Sequence, residues 1–311
     1  MPDALRKPRA LVPGDRIAVV APASPFDREE FERGLAELRT LGFQPVYQAS
    51  VFARSGYVAG SARVRADALM EAWSDPSIAA IVAARGGYGS VHLLPLLDRS
   101  VFDGPPKAFI GYSDNTSLMT WLTLTCGIVT FHGPMIEGRF ARGVEGYDRA
   151  TFERCLTRAA PAGVISHPSL EVIKAGSAEG MLIGGTMTQL AASLGTPYAF
   201  DPPDGCVLLL DEVGERPYRV DRIYTQLQFA GVIDRASALV FNELPRCAEP
   251  SGDARIRDLV ADLTQRFAGP VLFGLPSGHT DGPTLTVPFG VAARVDAGPV
   301  PALVIDESAV Q

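Results

Sequence analysis

The chain has 311 residues, 47% hydrophobic and 20% charged, with 31 Gly and 25 Pro; this excludes disorder as the main state, and at roughly 100 to 200 residues per domain it favours two domains. A formal charge of -7 and a pI near 5.2 would repel a polyphosphate backbone, which excludes nucleic acid as a partner. From the start of the chain, RIAVVA (16–21) predicts a strand ended by Pro22, and 27–41 carries Phe31, Leu35 and Leu38 at helical spacing. Gly42 stops that helix before FQPVYQ. SARVRADALMEAWSD predicts a second helix that runs into a strand at 78–84, IAAIVAA. RGGYGS follows, then VHLLPLLD with a helical look, a strand at 107–113 (KAFIGYS) and a helix over NTSLMTWLTLTCG. Apolar strands alternating with helices predict a parallel sheet covered on both faces.

After about residue 140 the texture changes to one helix and then short strands broken by Pro and Gly, which places the domain boundary near 160. The expected division is residues 1–158, a linker at 159–174, and a second domain at 175–311. That second half predicts a helix after GGTMTQLAASLG, a strand at 206–210 (CVLLL), a helix around VDRIYTQLQFAG, a strand at SALVFNEL and a helix over 254–267. Its tail, TLTVPFGVAARVDAGPVPALVID, reads as strands and turns, so the second domain is expected to be α+β or barrel-like. Cys126, Cys155, Cys206 and Cys247 form no C-x-x-C pair and read as buried small hydrophobes, with neither a zinc site nor a disulfide framework expected. No apolar stretch approaches bilayer length. The basic start is interrupted by Pro13, Gly14, Asp15 and Arg16 before a signal core can form, so the expected location is the cytoplasm.

Ligands of open parallel sheets bind outside the carboxyl ends of the strands, which directs attention to RGGYGS (85–90), GYSDN (111–115) and the DEVGE after CVLLL. GYSDN sets Ser113 between a strand and a helix, the place of a nucleophile elbow, although Ser113 would also serve there as a plain N-cap. The Asp114 backbone N–H would point at an oxyanion beside Ser113, and the paired glycines of RGGYG could supply a second donor, cradle a phosphate or simply turn the chain. Neither phosphate-loop signature is present.

A serine nucleophile needs a base, and the chain has four histidines. His92 falls in a helix-like stretch and His167 in the expected linker. His132 and His279 are the candidates, and the Gly/Pro-rich loop GLPSGHTDGPT favours His279. Asp211 and Glu212, at the end of a buried strand, are candidates for the carboxylate that orients the base, or are solvated turn residues.

Together RGGYGS, FIGYSDNTSL, TFHGPM, GGTMTQLAASLGTPY, LLLDEVGERPYRVDRIYTQLQFAGVI and GLPSGHTDGPTLTVPFG resemble the LD-carboxypeptidases, the serine peptidases that include muropeptide-recycling enzymes and microcin C immunity peptidases. The resemblance runs over nearly the whole chain. It implies a Rossmann-like N-terminal domain, a smaller β-rich C-terminal domain, a Ser-Glu-His triad at their junction and a homodimer, with no metal or organic cofactor. Carried over position by position, the nucleophile falls on Ser113, the base on His279 and the oxyanion donors on the backbone of Gly87 and Asp114, leaving His132 structural.

The sequence departs from the family pattern in two places. Leu-Glu-Asp is exchanged to Leu210, Asp211, Glu212, so strict register gives the triad acid to Asp211; adjacent strand residues face opposite ways, and only one can meet His279 unless a bulge intervenes. Thr186 stands where the family often has Asn. Candidate substrate contacts are Arg85, Gly86, Tyr88, Gly185, Thr186 and Arg219, with guanidinium groups suited to a substrate carboxylate; Arg219 could equally pair with Glu215 on a helix surface. The expected activity is release of D-alanine from murein tetrapeptide. The alternatives are an immunity-type peptidase acting on an aminoacyl-nucleotide analogue, and a two-domain binder without turnover.

Overall fold

The structure, a computed structural model, describes residues 5–249 and 255–311. Residues 1–4 of the basic start and residue 254 of the helix expected over 254–267 lie outside the described residues. The first half builds β1 (Arg16–Val20), α1 (Arg28–Thr40), β2 (Gln44–Val46), α2 (Ala62–Ser74), β3 (Ile78–Ala83), β4 (Ala108–Gly111), α3 (Thr116–Leu124) and β5 (Thr130–His132). Every residue of β3 and β4 is buried, as their unbroken apolar runs require of strands covered on both faces. The helices start where side chains can satisfy free N–H groups: the Asp27 carboxylate accepts from Glu30 N–H at 2.9 Å, and Ser61 caps α2. Phe31, Leu35 and Leu38 face the core at helical spacing. VHLLPLLD takes a tighter 3₁₀ form over Ser90–Leu96, with Pro95 unable to donate an N–H.

The strand order β2-β1-β3-β4-β5 is parallel throughout. It reverses between β1 and β3, where ligand crevices form in doubly wound sheets. The loops that leave β1 and β3 meet there, with Ser24 N–H donating to the Gly86 carbonyl at 3.1 Å.

The second half contains α4 (Arg149–Leu156), β6 (Pro161–Ile165), β7 (Glu171–Lys174), β8 (Gly176–Thr186), α5 (Met187–Ser193), β9 (Cys206–Asp211), α6 (Pro217–Phe229), β10 (Ala236–Asn242), α7 (Ile256–Leu263), β11 (Val271–Leu275), β12 (Val287–Phe289), β13 (Ala292–Ala297) and β14 (Ala302–Ser308). Eight of its strands form an open sheet in the order β6-β14-β13-β8-β9-β10-β11-β7. Its centre, β8 to β11, is parallel and apolar, and its flanks are antiparallel. The fold is therefore mixed α/β with two sheets. The stretch expected as a linker, 159–174, supplies both edge strands, β6 and β7. The helix expected after GGTMTQLAASLG lies within it, as α5.

The tail does not stay with its own half. β12 crosses to the first sheet and pairs antiparallel with β5, Val287 opposite His132. Single bridges from Tyr147 to Thr284 and from Ser277 to Leu285 tie the preceding loop into the same junction. All four cysteines are buried and unpaired with one another. Among the described residues, no helix is long and apolar enough to cross a membrane.

Candidate active site

Ser113 opens a single 3₁₀ turn, Ser113–Asn115, between β4 and α3. Its φ of 63° is in the left-handed region, a conformation that strains a non-glycine residue and lifts the side chain out of the turn. Gly86 makes room: a Cβ there would stand 2.8 Å from Ser113 Cβ and 2.9 Å from its Oγ. The buried Asp114 carboxylate accepts from Ser90 N–H at 2.8 Å, while the Ser90 hydroxyl donates to the Asp114 carbonyl at 2.6 Å. Asn115 Nδ2 donates to the carbonyls of Tyr112 and Arg85. The RGGYGS loop and the serine turn are thereby one unit. Among the described residues, neither the Gly87 nor the Asp114 backbone N–H has a hydrogen-bond acceptor.

The second half brings the other groups. Asp211 is the last residue of β9 and fully buried; its Oδ2 lies 2.7 Å from His279 Nδ1 and accepts from the Thr186 hydroxyl at 3.3 Å, and its Oδ1 accepts from His279 N–H at 3.3 Å. His279 Nε2 is 3.1 Å from Ser113 Oγ. With the Nδ1 proton directed at Asp211, Nε2 is free to accept from the serine hydroxyl. The structure thus brings Ser113, His279 and Asp211 into one line.

Glu212 points the other way, as strand alternation demands. Its carboxylate accepts from Thr188 N–H at 3.0 Å, from the Thr188 hydroxyl at 2.7 Å and from Val213 N–H at 3.0 Å. Burial raises its carboxyl above the ordinary value against the pull of these donors. Of the two neighbouring acids, the structure brings only Asp211 to His279.

His132 lies behind the line, fully buried, with Nδ1 2.9 Å from Ser277 Oγ and Nε2 3.9 Å from Asp211 Oδ2. Burial lowers its imidazole to about 4, with Asp211 opposing and His279 adding to the shift, so it is neutral at neutral pH. Gly278, at φ +65°, is required beside it, because a Cβ would come within 2.4 Å of His132 Cε1 and 2.8 Å of Asp211 Oδ2.

The other candidates are placed as follows. Thr186 N–H donates to Thr116 Oγ1 at 3.0 Å and Gly185 packs on the Thr116 side chain, so the end of β8 is locked to α3. Tyr88 is 48% exposed beside Tyr57, their rings 5.9 Å apart. Arg85 pairs with Glu137 at 2.9 Å and donates to the Pro25 carbonyl. Arg219 sits in the first turn of α6 and pairs at 3.3 Å with Glu215, just before the helix, an exposed surface pair. A cavity of about 260 Å³ adjoins the serine turn, lined among others by Tyr88, Asp114, Ser117, Thr188, Gln189 and Tyr198. Sequence reasoning missed Tyr112, whose ring packs edge-on to His279 at 5.1 Å, and Arg139, buried behind the histidine loop. Adjacency to Ser113 was a signal for the first; nothing in spacing marks the second.

Residues 17–133 match the LD-carboxypeptidase N-terminal domain and residues 179–295 the LD-carboxypeptidase C-terminal domain. A putative carboxypeptidase of Streptomyces coelicolor is 38% identical over 301 residues, covering 94% of each chain. A probable murein peptide carboxypeptidase of Bacillus subtilis is 31% identical over 293 residues, covering 93% of this chain and 91% of its own. Among solved structures, the wild-type microcin C7 self-immunity protein MccF superposes with a TM-score of 0.89 at 24% identity, over 98% of this chain and 99% of its own. With both domains matched and the relatives aligned nearly end to end, the chain belongs to the LD-carboxypeptidase family.

Proposed function

We propose that the protein is a serine LD-carboxypeptidase that hydrolyses the amide between an L-centre and a terminal D-amino acid, releasing D-alanine from murein tetrapeptide. The observation that carries this reading is the line of contacts from Ser113 Oγ to His279 Nε2, 3.1 Å, and from His279 Nδ1 to Asp211 Oδ2, 2.7 Å. Ser113 attacks the scissile carbonyl as His279 Nε2 takes its proton. Asp211 holds the ring in the required tautomer and stabilises the imidazolium. The unpartnered N–H groups of Gly87 and Asp114 receive the oxyanion, each worth about 10²- to 10³-fold. The proton on His279 passes to the departing D-alanine amine, and water, activated by the same histidine, hydrolyses the acyl-enzyme. The family resemblance adds a cytoplasmic homodimer to this reading, the assembly being testable by light scattering.

The test is mass spectrometry of L-Ala-γ-D-Glu-diaminopimelate-D-Ala incubated with the wild type and with Ser113→Ala. Release of D-alanine by the wild type alone is the expected result. A second reading, cleavage of an aminoacyl-nucleotide analogue, draws on the exposed Tyr57–Tyr88 pair, a surface on which a purine could stack. Turnover of such an analogue, with the tetrapeptide left intact, would select it.

A further inference from the structure

The guanidinium of Arg139 is buried, the residue only 6% exposed, and its N–H donors all meet neutral acceptors. Nε donates to the Tyr112 hydroxyl at 3.2 Å. Nη2 donates to the carbonyls of Gly278 at 2.8 Å and Thr280 at 2.9 Å. Nη1 donates to the carbonyls of Gly282 at 3.0 Å and Gly146 at 3.4 Å. None of these partners is a carboxylate, so the cost of burying the cation is offset by these hydrogen bonds alone, which ties the guanidinium to the segments that carry them. What they hold is informative. Gly278 and Thr280 flank His279, and Tyr112 precedes Ser113. Tyr112 also lies between the histidine and the guanidinium, its ring 5.1 Å from the His279 ring and 5.8 Å from the guanidinium carbon.

The nucleophile belongs to the first half of the chain and the base to the second, so nothing local fixes their separation. Arg139 binds both segments with one planar group. We propose that Arg139 is a positioning residue that docks the histidine loop, residues 278–282, onto the serine turn and so sets the distance between Ser113 and His279. The inference rests on the peptidase reading above. Lysine cannot replace it, because an ammonium has three donors around a point and not five in a plane.

The test uses full-length Arg139→Ala and Arg139→Lys, with two readouts. One is kcat and KM on the tetrapeptide; the other is the rate at which a fluorophosphonate labels Ser113, which needs the Ser–His pair but no D-amino acid. A misplacement of about 1 Å lowers the rate about 10²-fold, so Arg139→Ala should show that loss in both kcat and labelling, with KM changed by less than about threefold. Millimolar guanidinium should restore part of it by refilling the vacated site. Labelling of Arg139→Ala at the wild-type rate would overturn the proposal. So would an equal loss in Leu69→Ala, a core variant on α2, at a matched drop in Tm. If Arg139→Ala does not fold, Arg139→Lys decides: labelling within about twofold of wild type overturns the proposal and a loss near 10²-fold supports it. A wild type that labels but releases no D-alanine breaks the substrate reading and leaves the Arg139 test standing.

Discussion

The serine turn and the histidine loop reach the same point by opposite means. Ser113 is held by local construction: a strained backbone at φ 63°, the close approach of Gly86, and Asp114 and Asn115 tying neighbouring segments to the turn. The histidine loop has little structure of its own. It is held from outside, by Asp211 through the His279 N–H and ring, by Arg139 through its carbonyls, and by the Thr280 hydroxyl bonding Glu243. The difference teaches where the site is vulnerable. The serine turn is tied to a loop 24 to 30 positions away, whereas His279 and Thr280 depend on Asp211 and Arg139, 68 and 141 positions away in sequence.

The largest effect that would sharpen this comparison is expected at Asp211. Asp211→Asn presents an amide to His279 Nδ1 and favours the wrong tautomer, so kcat should fall about 10⁴-fold with the fold intact. The neighbouring Glu212→Gln should leave kcat within about threefold and lower stability by about 1–3 kcal/mol, because it disturbs three partly buried hydrogen bonds and touches no reacting group. Chemical denaturation and steady-state kinetics on the pair check both statements. Equal kinetic losses would mean that the two acids share the work.

A smaller effect separates burial from chemistry at His132. Its folded value of about 4 lies below the ordinary 6.5, so in that window the unfolded chain binds a proton that the native protein does not. Stability therefore rises with pH from about 4 to 6.5 and is lost as pH falls, by up to about 3 kcal/mol. His132→Gln should flatten this part of the stability curve by that amount in denaturant titrations. An unchanged slope would show that His132 does not carry it. The smallest effect belongs to Arg219→Ala: a solvent-exposed ion pair contributes little to stability, and KM should hold within about twofold. A large rise in KM would restore Arg219 as a substrate contact.

The parallel sheet was legible because its strands are short unbroken apolar runs closed by Gly, Pro or a capping residue. Ser113 was legible because it stands between an apolar strand and a helix, and His279 because its loop is rich in Gly and Pro. The choice between Asp211 and Glu212 was only half legible: alternation says that they face apart, but which one faces the histidine depends on where β9 begins its pairing with β8, Thr186 opposite Asp211. Short strands were expected in 159–174, but their place at the two edges of one sheet was not legible, because β6 and β7 pair with β14 and β11, which lie more than 90 positions later in the chain. Arg139 was invisible, since one arginine among many carries no sign of burial until its acceptors are known.

β12 has a consequence for how the chain is made. The strand that completes the first sheet lies at Val287–Phe289, so β5 has no neighbour on its outer side until a strand more than 150 residues later has been made. During synthesis, an exposed strand edge waits through more than 150 further residues, a template for pairing with another nascent chain. Separating the halves near residue 160 would make that temporary hazard permanent.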